Sequence, residues 1–226
     1  MRRSFRTVAQ IGIAAFGLMG AVYGARADTI TYVPGNFPAL AGSLSALWLD
    51  GAAASALETF AVPGAAGTST RLDFTFIQDV GGYQFSFGVF DAGAVTADPV
   101  TNRTDWALQA LSAATLVFDN RGLAVGATAS VEVAAGTQLG LFLIPDDTLA
   151  AVLASPSSFF GGSRPDPLFS VSGANPGGYD QMLAVGADGF FALAFEDLTR
   201  TGWSDLDFND LLVTMQATPT AFAAQI

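Results

Sequence analysis

The chain has no cysteine and no histidine among its 226 residues. Without cysteine there is no disulfide to staple an exported fold, no thiolate metal site and no cysteine nucleophile. Without histidine the commonest general base at neutral pH is missing too. The two absences together leave zinc, copper and iron poorly served, because those ions favour thiolate and imidazole. Positive charge is also scarce: nine Lys+Arg face twenty Asp+Glu. Four of the nine, Arg2, Arg3, Arg6 and Arg26, sit at the start of the chain. Beyond Ala27 the chain carries five Arg, no Lys and all twenty acids, a formal charge of −15. Such a surface repels nucleic acid and anionic lipid and attracts cations.

What is present is apolar. Hydrophobic residues make up 51% of the chain and charged ones only 13%, which is the composition of a packed core and not of a disordered segment. The first 27 residues read as a secretory signal peptide: Arg2, Arg3 and Arg6 form a positive region, Ile11 to Tyr23 is uncharged and apolar, and Ala25-Arg26-Ala27 is an A-x-A cleavage site. The expected product is exported to the periplasm, the cell surface or the medium, with no membrane insertion after cleavage.

Strand signals dominate the remainder. Thr29–Val33 reads as a short strand. Leu72–Phe76 and Tyr83–Val89 alternate apolar and polar residues around Gly81-Gly82, which predicts a β-hairpin. Further strands are expected at Thr115–Phe118, Ser130–Val133, Gly140–Ile144, Leu168–Val171, Met182–Val185, Phe190–Phe195 and Leu211–Met215. Phe190–Phe195 is apolar on both faces, as a central strand is. Helix is expected only at Leu44–Leu57 and at Thr148–Ala154, the latter capped by Asp146 or Asp147. Ser155–Pro167 reads as a loop. The fold class is therefore all-β: a single antiparallel sandwich, jelly-roll-like, with one or two short helices. Residues 28–71 form an N-terminal strand and helical or loop segment packed on the main domain, residues 72–216 the β-sandwich itself, and residues 217–226 a short tail.

One segment concentrates the chemistry. Glu196-Asp197 is followed by Asp205, Asp207, Asn209 and Asp210, with Arg200 the one compensating charge. Crowded carboxylates at the edge of a core repel one another, and a hard divalent cation relieves them with oxygen ligands alone. On extended backbone, Asp205, Asp207 and Asn209 share one face, while Leu206 and Phe208 point into the core. If the strands ending at Phe195 and starting at Leu211 are antiparallel neighbours, both acidic groups meet at one end of a sheet. An EF-hand is excluded, since its position 6 would be Asp210 in place of glycine and its position 12 Gln216 in place of glutamate. Asp91, Asn175 and Asp180 stand beside turn residues and read either as additional ligands or as turn caps. Trp106, Trp203 and Tyr179 read either as stacking platforms for a ligand or as core aromatics.

Phe195-Glu196-Asp197-Leu198 followed by Ser204-Asp205-Leu206-Asp207-Phe208-Asn209-Asp210 resembles the C-terminal signature of the DUF4114 family. Gly81-Gly82-Tyr83 to Phe90-Asp91, Leu139–Ile144 and Asn175-Pro176-Gly177-Gly178-Tyr179-Asp180 add looser similarity, so the resemblance spans Leu72 to Met215. It implies an exported bacterial calcium-binding domain of the kind found in surface and adhesin proteins, all-β and without enzymatic activity. Carried onto this chain, it implies Ca²⁺ ligands among Glu196, Asp197, Asp205, Asp207, Asn209 and Asp210. The chain departs from the pattern in standing alone and in lacking an apolar, basic-tailed sorting segment at Ala217–Ile226.

The residues leave two function classes open. The first is a non-catalytic, adhesin-like binding or structural module, in which Ca²⁺ orders loops that face an extracellular glycan or protein ligand. The second is a secreted enzyme, such as a glycoside hydrolase with Glu196 and Asp205 as its carboxylate pair. Adjacent carboxylates suit a cation better than a sugar, and no G-x-S-x-G elbow is present.

Overall fold

In the computed structural model, which describes residues 54–56, 58–80, 84–119, 123–187, 189–199, 207–218 and 223–225, two antiparallel sheets pack face to face. The first runs edge to edge through Ala54–Ala56 (β1), Met182–Ala187 (β9), Phe190–Phe195 (β10), Leu211–Thr218 (β11), Ser69–Asp79 (β3) and Thr128–Ala134 (β6). The second runs through Ala223–Gln225 (β12), Thr59–Ala61 (β2), Gln138–Pro145 (β7), Phe85–Asp91 (β4) and Thr115–Asp119 (β5). A two-residue strand, Leu168–Phe169 (β8), pairs with β7 further along the edge that β2 occupies. The all-β sandwich expected from the sequence is what forms. Strands from residues 28–71 are hydrogen-bonded members of both sheets, β1 on β9 and β2 on β7.

Alternation explains why these segments are strands. In β3, Leu72, Phe74 and Phe76 face inward and are buried, while Arg71 is exposed. They meet Phe87 and Phe85 of β4 across the sandwich, with Phe74–Phe87 edge-to-face at 5.6 Å between ring centres. The hairpin expected around Gly81-Gly82 does not form. β3 pairs with β11 and β6, whereas β4 pairs with β5 and β7, so the connection crosses from one sheet to the other. Both strands turn their aromatic faces toward each other across the core, and that burial outweighs the ladder they would share as neighbours.

The second sheet is covered on both faces, so its central strand β7 is apolar and buried from Leu139 onward. Leu139, Leu141 and Leu143 enter the core between the sheets, while Phe142 and Ile144 enter a second core beneath Arg103–Ser112 (α1) and Leu149–Ala154 (α2). On that outer face, Gly88 lies opposite Phe142 and Gly140 opposite Phe90. A Cβ on Gly140 would stand 2.3 Å from the Phe90 ring, and one on Gly88 2.6 Å from the Phe142 ring. Each glycine is the space in which its partner's ring lies.

The helices differ from expectation. α1 has no counterpart in the sequence reading. Ala54–Ala56, expected within a helix over Leu44–Leu57, is strand β1, and the earlier residues of that helix lie outside the described residues, as do Thr29–Val33 and the leader. The cap of α2 is Thr148, whose Oγ1 accepts from the Ala151 N–H at 3.2 Å, and not Asp146 or Asp147. Asp147 instead accepts from the Thr148 N–H and pairs with Arg164.

Candidate cation site

β10 and β11 are antiparallel neighbours in register from Phe190↔Gln216 to Phe195↔Leu211. The residues just past that last pair, Glu196 and Asp197 on one strand and Asp210 on the other, therefore meet at one end of the first sheet. Phe195 and Leu211 point into the core and fix the phase of both strands.

Glu196 is fully buried, and its Oε1 accepts the Phe208 N–H at 2.7 Å. Asp210 Oδ2 accepts the Asp197 N–H at 2.9 Å. The acids thus hold the ends of the connection between β10 and β11 by binding its backbone. Asp197 itself is 8% exposed. Burial pushes its carboxyl up to about 7, and the neighbouring charge of Asp210, a hydrogen bond shared with Asp210, and the charges of Glu196 and Asp79 push the same way. Asp79 is a member of this group that the sequence does not single out. It ends β3 opposite Leu211, and the adjacent Val80 N–H bonds to Asp210 O at 3.0 Å. Its only signal is a carboxylate at the end of a strand, which tells nothing until the neighbour of that strand is known.

The other candidates behave differently. Asp205 lies outside the described residues, as do Arg200, Leu206 and Trp203. Phe208 is buried as expected, but its φ of 54° is left-handed, so the motif is not extended there. The cause is local: Asp207 Oδ1 accepts the Asn209 N–H at 3.3 Å, and Asp207 Oδ2 accepts from the Asn209 side-chain amide. Such a turn bends the chain back on itself. Asp207 and Asn209 thus engage each other, while Glu196, Asp197, Asp210 and Asp79 form the closer electrostatic group. Among the described residues no three carboxylates form a ready-made cation cage. Their chemistry nevertheless fits a hard cation. Every donor is oxygen, and the causes of the elevation at Asp197 include no offsetting Arg among the described residues.

Beside the acids lies a cleft of about 280 Å³, bounded by Asp197, Leu198 and Thr199 on one side and by Arg164, Asp166 and Pro176 on the other. Two Arg–Asp pairs brace the far wall, each contributing one lining residue, Asp166 and Arg164. Arg103 Nη2 meets Asp166 Oδ2 at 2.8 Å, Arg164 pairs with Asp147, and each guanidinium lies over a phenylalanine, Phe160 and Phe159 respectively.

Of the remaining sequence candidates, Asp91, Asn175 and Trp106 have structural partners. Asp91 Oδ1 accepts the Gly93 N–H at 3.0 Å, capping a short turn. Asn175 closes the 169–179 loop: its Oδ1 accepts from Phe169 N–H at 2.7 Å, and its Nδ2 donates to Phe169 O and Tyr179 O. Asp180 is buried. Trp106 is not a stacking platform. It is fully buried in the second core, edge-to-face with Phe90 and Phe169 at 5.5 and 5.2 Å. Tyr179 is half-buried.

Residues 133–218 match the family described as Domain of unknown function (DUF4114). The matched stretch runs from the end of β6 through β11 and contains every acidic candidate except Asp79 and Asp91. It begins later than the sequence resemblance, leaving Gly81–Asp91 outside. Neither the curated proteins nor the solved structures gave a match.

Proposed function

Starting from the match of residues 133–218 to the DUF4114 family, we propose that this chain is an exported, non-catalytic calcium-binding module of adhesin-like type. Ca²⁺ held at the ends of β10 and β11 orders the loops around the 280 Å³ cleft, where an extracellular glycan or protein ligand binds. The observation that carries this reading is the convergence of Glu196, Asp197 and Asp210 at one sheet end, with burial and mutual repulsion lifting the Asp197 carboxyl to about 7. A cation there would offset repulsion that the fold otherwise bears. Glu196, Asp197, Asp210 and Asp79 would hold it, together with Asp205, Asp207 and Asn209 as the remaining oxygen donors of the motif. The ion would supply charge neutralisation and cross-linking of two strands, not chemistry.

Extracellular calcium modules bind with Kd on the order of 10⁻⁴–10⁻³ M. At a tenfold excess over Kd the ion stabilises the fold by about 1.4 kcal/mol, a sizeable share for a domain without disulfides. Thermal melts test this. Chelator should lower the Tm, and Ca²⁺ but not Mg²⁺ should restore it; identical melts with and without chelator would sink the proposal.

A carboxyl lifted to about 7 beside a cleft is also what a general acid looks like, and this keeps a glycoside hydrolase as the second reading. Turnover of a glycan that disappears in Asp197→Asn as well as in Glu196→Gln, while the calcium response of the fold persists, would favour it.

A further inference from the structure

Gln181 is 1% exposed, and neither its Oε1 nor its Nε2 has a hydrogen-bond partner among the described residues. A buried amide in that condition forfeits water without replacement, which destabilises the fold. Native cores rarely leave both ends of one amide unmet, so its position in the fold matters.

Gln181 immediately precedes β9, whose last registered partner on β10 is Met182↔Phe195. The ladder continues one step further, because the Glu196 N–H donates to Gln181 O at 3.0 Å. Gln181 and Glu196 are thus cross-strand partners. On the other side of β10, Phe195 pairs with Leu211, and the step beyond it sets Glu196 against Asp210. Met182, Phe195 and Leu211 all enter the core between the sheets. One residue on, Gln181, Glu196 and Asp210 all face the opposite way, in one row across β9, β10 and β11. Side chains directly opposite each other on one face have Cβ atoms about 4.5–5.5 Å apart. The unmet amide therefore leaves the backbone on the same face as the buried carboxylates, one strand spacing from Glu196.

We infer that Gln181 belongs to the cation site, its Oε1 a neutral oxygen ligand in the row it forms with Glu196 and Asp210. This inference rests on the calcium reading above and extends the donor set beyond the acidic motif. A neutral donor suits the place: calcium sites mix carboxylates with amide carbonyls, and one more carboxylate would deepen the repulsion already present. The Nε2 of the same amide then has a carboxylate oxygen within reach as acceptor, so one ion satisfies both unmet atoms.

The test is calorimetric titration of the metal-stripped full chain with Ca²⁺, paired with thermal melts in chelator. Gln181→Leu removes the oxygen and keeps an apolar volume. It should weaken Ca²⁺ by about tenfold or more, the scale on which even outer partners of a metal site count. In chelator it should melt no lower than the wild type, since an unmet amide has been removed. Gln181→Glu supplies a second readout: it should retain Ca²⁺ binding and melt lower than the wild type in chelator, because it adds a charge to the row. Wild-type binding with unchanged affinity in Gln181→Leu overturns this inference and leaves the calcium reading standing. So does a Gln181→Glu chain whose calcium-free melt equals that of the wild type. A wild type that takes up no Ca²⁺ overturns both.

Discussion

Glu196 Oε1 holds the Phe208 N–H at 2.7 Å, so a fully buried carboxylate anchors the residue with left-handed backbone just before β11. Two substitutions separate this structural role from a role toward a cation. Glu196→Ala leaves a buried N–H without an acceptor and should cost about 1–3 kcal/mol whether or not Ca²⁺ is present. Glu196→Gln keeps a carbonyl acceptor but no charge. It should melt close to the wild type in chelator and lose most of the Ca²⁺-induced gain. Melts of both variants with and without Ca²⁺ check this.

The raised carboxyl of Asp197 sets a pH dependence for the calcium-free protein. Folded Asp197 keeps its proton up to about 7, whereas the unfolded chain releases it near the ordinary value of 3.8. Between those values the folded state binds more protons, so stability from this group is present at low pH and is lost as pH rises toward 7. Glu58 slopes the same way. Burial raises its carboxyl, against the hydrogen bonds it accepts from the Ser172 N–H and Oγ. Denaturant unfolding in chelator from pH 4 to 8 should therefore show a shallower fall for Asp197→Asn than for the wild type, and a flatter one still when Glu58→Gln is added. A wild-type slope in Asp197→Asn would assign the effect elsewhere.

The paired glycines of the second sheet make a prediction independent of any metal. A methyl group at Gly140 meets the Phe90 ring at 2.3 Å. Phe90 is in turn locked by Trp106 and Phe169. Gly140→Ala should destabilise by about 1–3 kcal/mol through overpacking. Phe90→Leu in the same chain should recover part of that loss, and a double-mutant cycle measures the coupling. Additive losses would mean that the ring has another place to go.

The contrast between what the sequence discloses and what it hides comes down to range. Phe190–Phe195 and Leu211–Met215 are legible because alternation and continuous apolar runs are local properties. The meeting of Glu196 with Asp210 is legible too, once those two strands are taken as neighbours. The false hairpin shows the limit: the alternation of Leu72–Phe76 and of Tyr83–Val89 is real, but period two names the buried face and not the sheet. α1 escapes notice although Trp106, Ala107, Ala110 and Leu111 recur at helical spacing. The polar turn Arg103-Thr104-Asp105 leads a segment of only 10 residues, and the aromatic pocket that holds Trp106 comes from β4 and β8. Asp79 and Gln181 carry no motif of their own. Each acquires meaning only from a strand far away in the chain, which no local window contains.

β11 lies between β10 and β3 in the first sheet, although it comes near the end of the chain and β3 near the start of the described residues. Inserting it is a long-range event, of the kind that slows folding. Until it is in place, Asp210 and Asp79 are apart from Glu196 and Gln181, and the row of donors does not exist. An ion bound there stabilises only the finished sheet. It would act as a latch that closes last, holding β11 between its two neighbours once the sheet is complete.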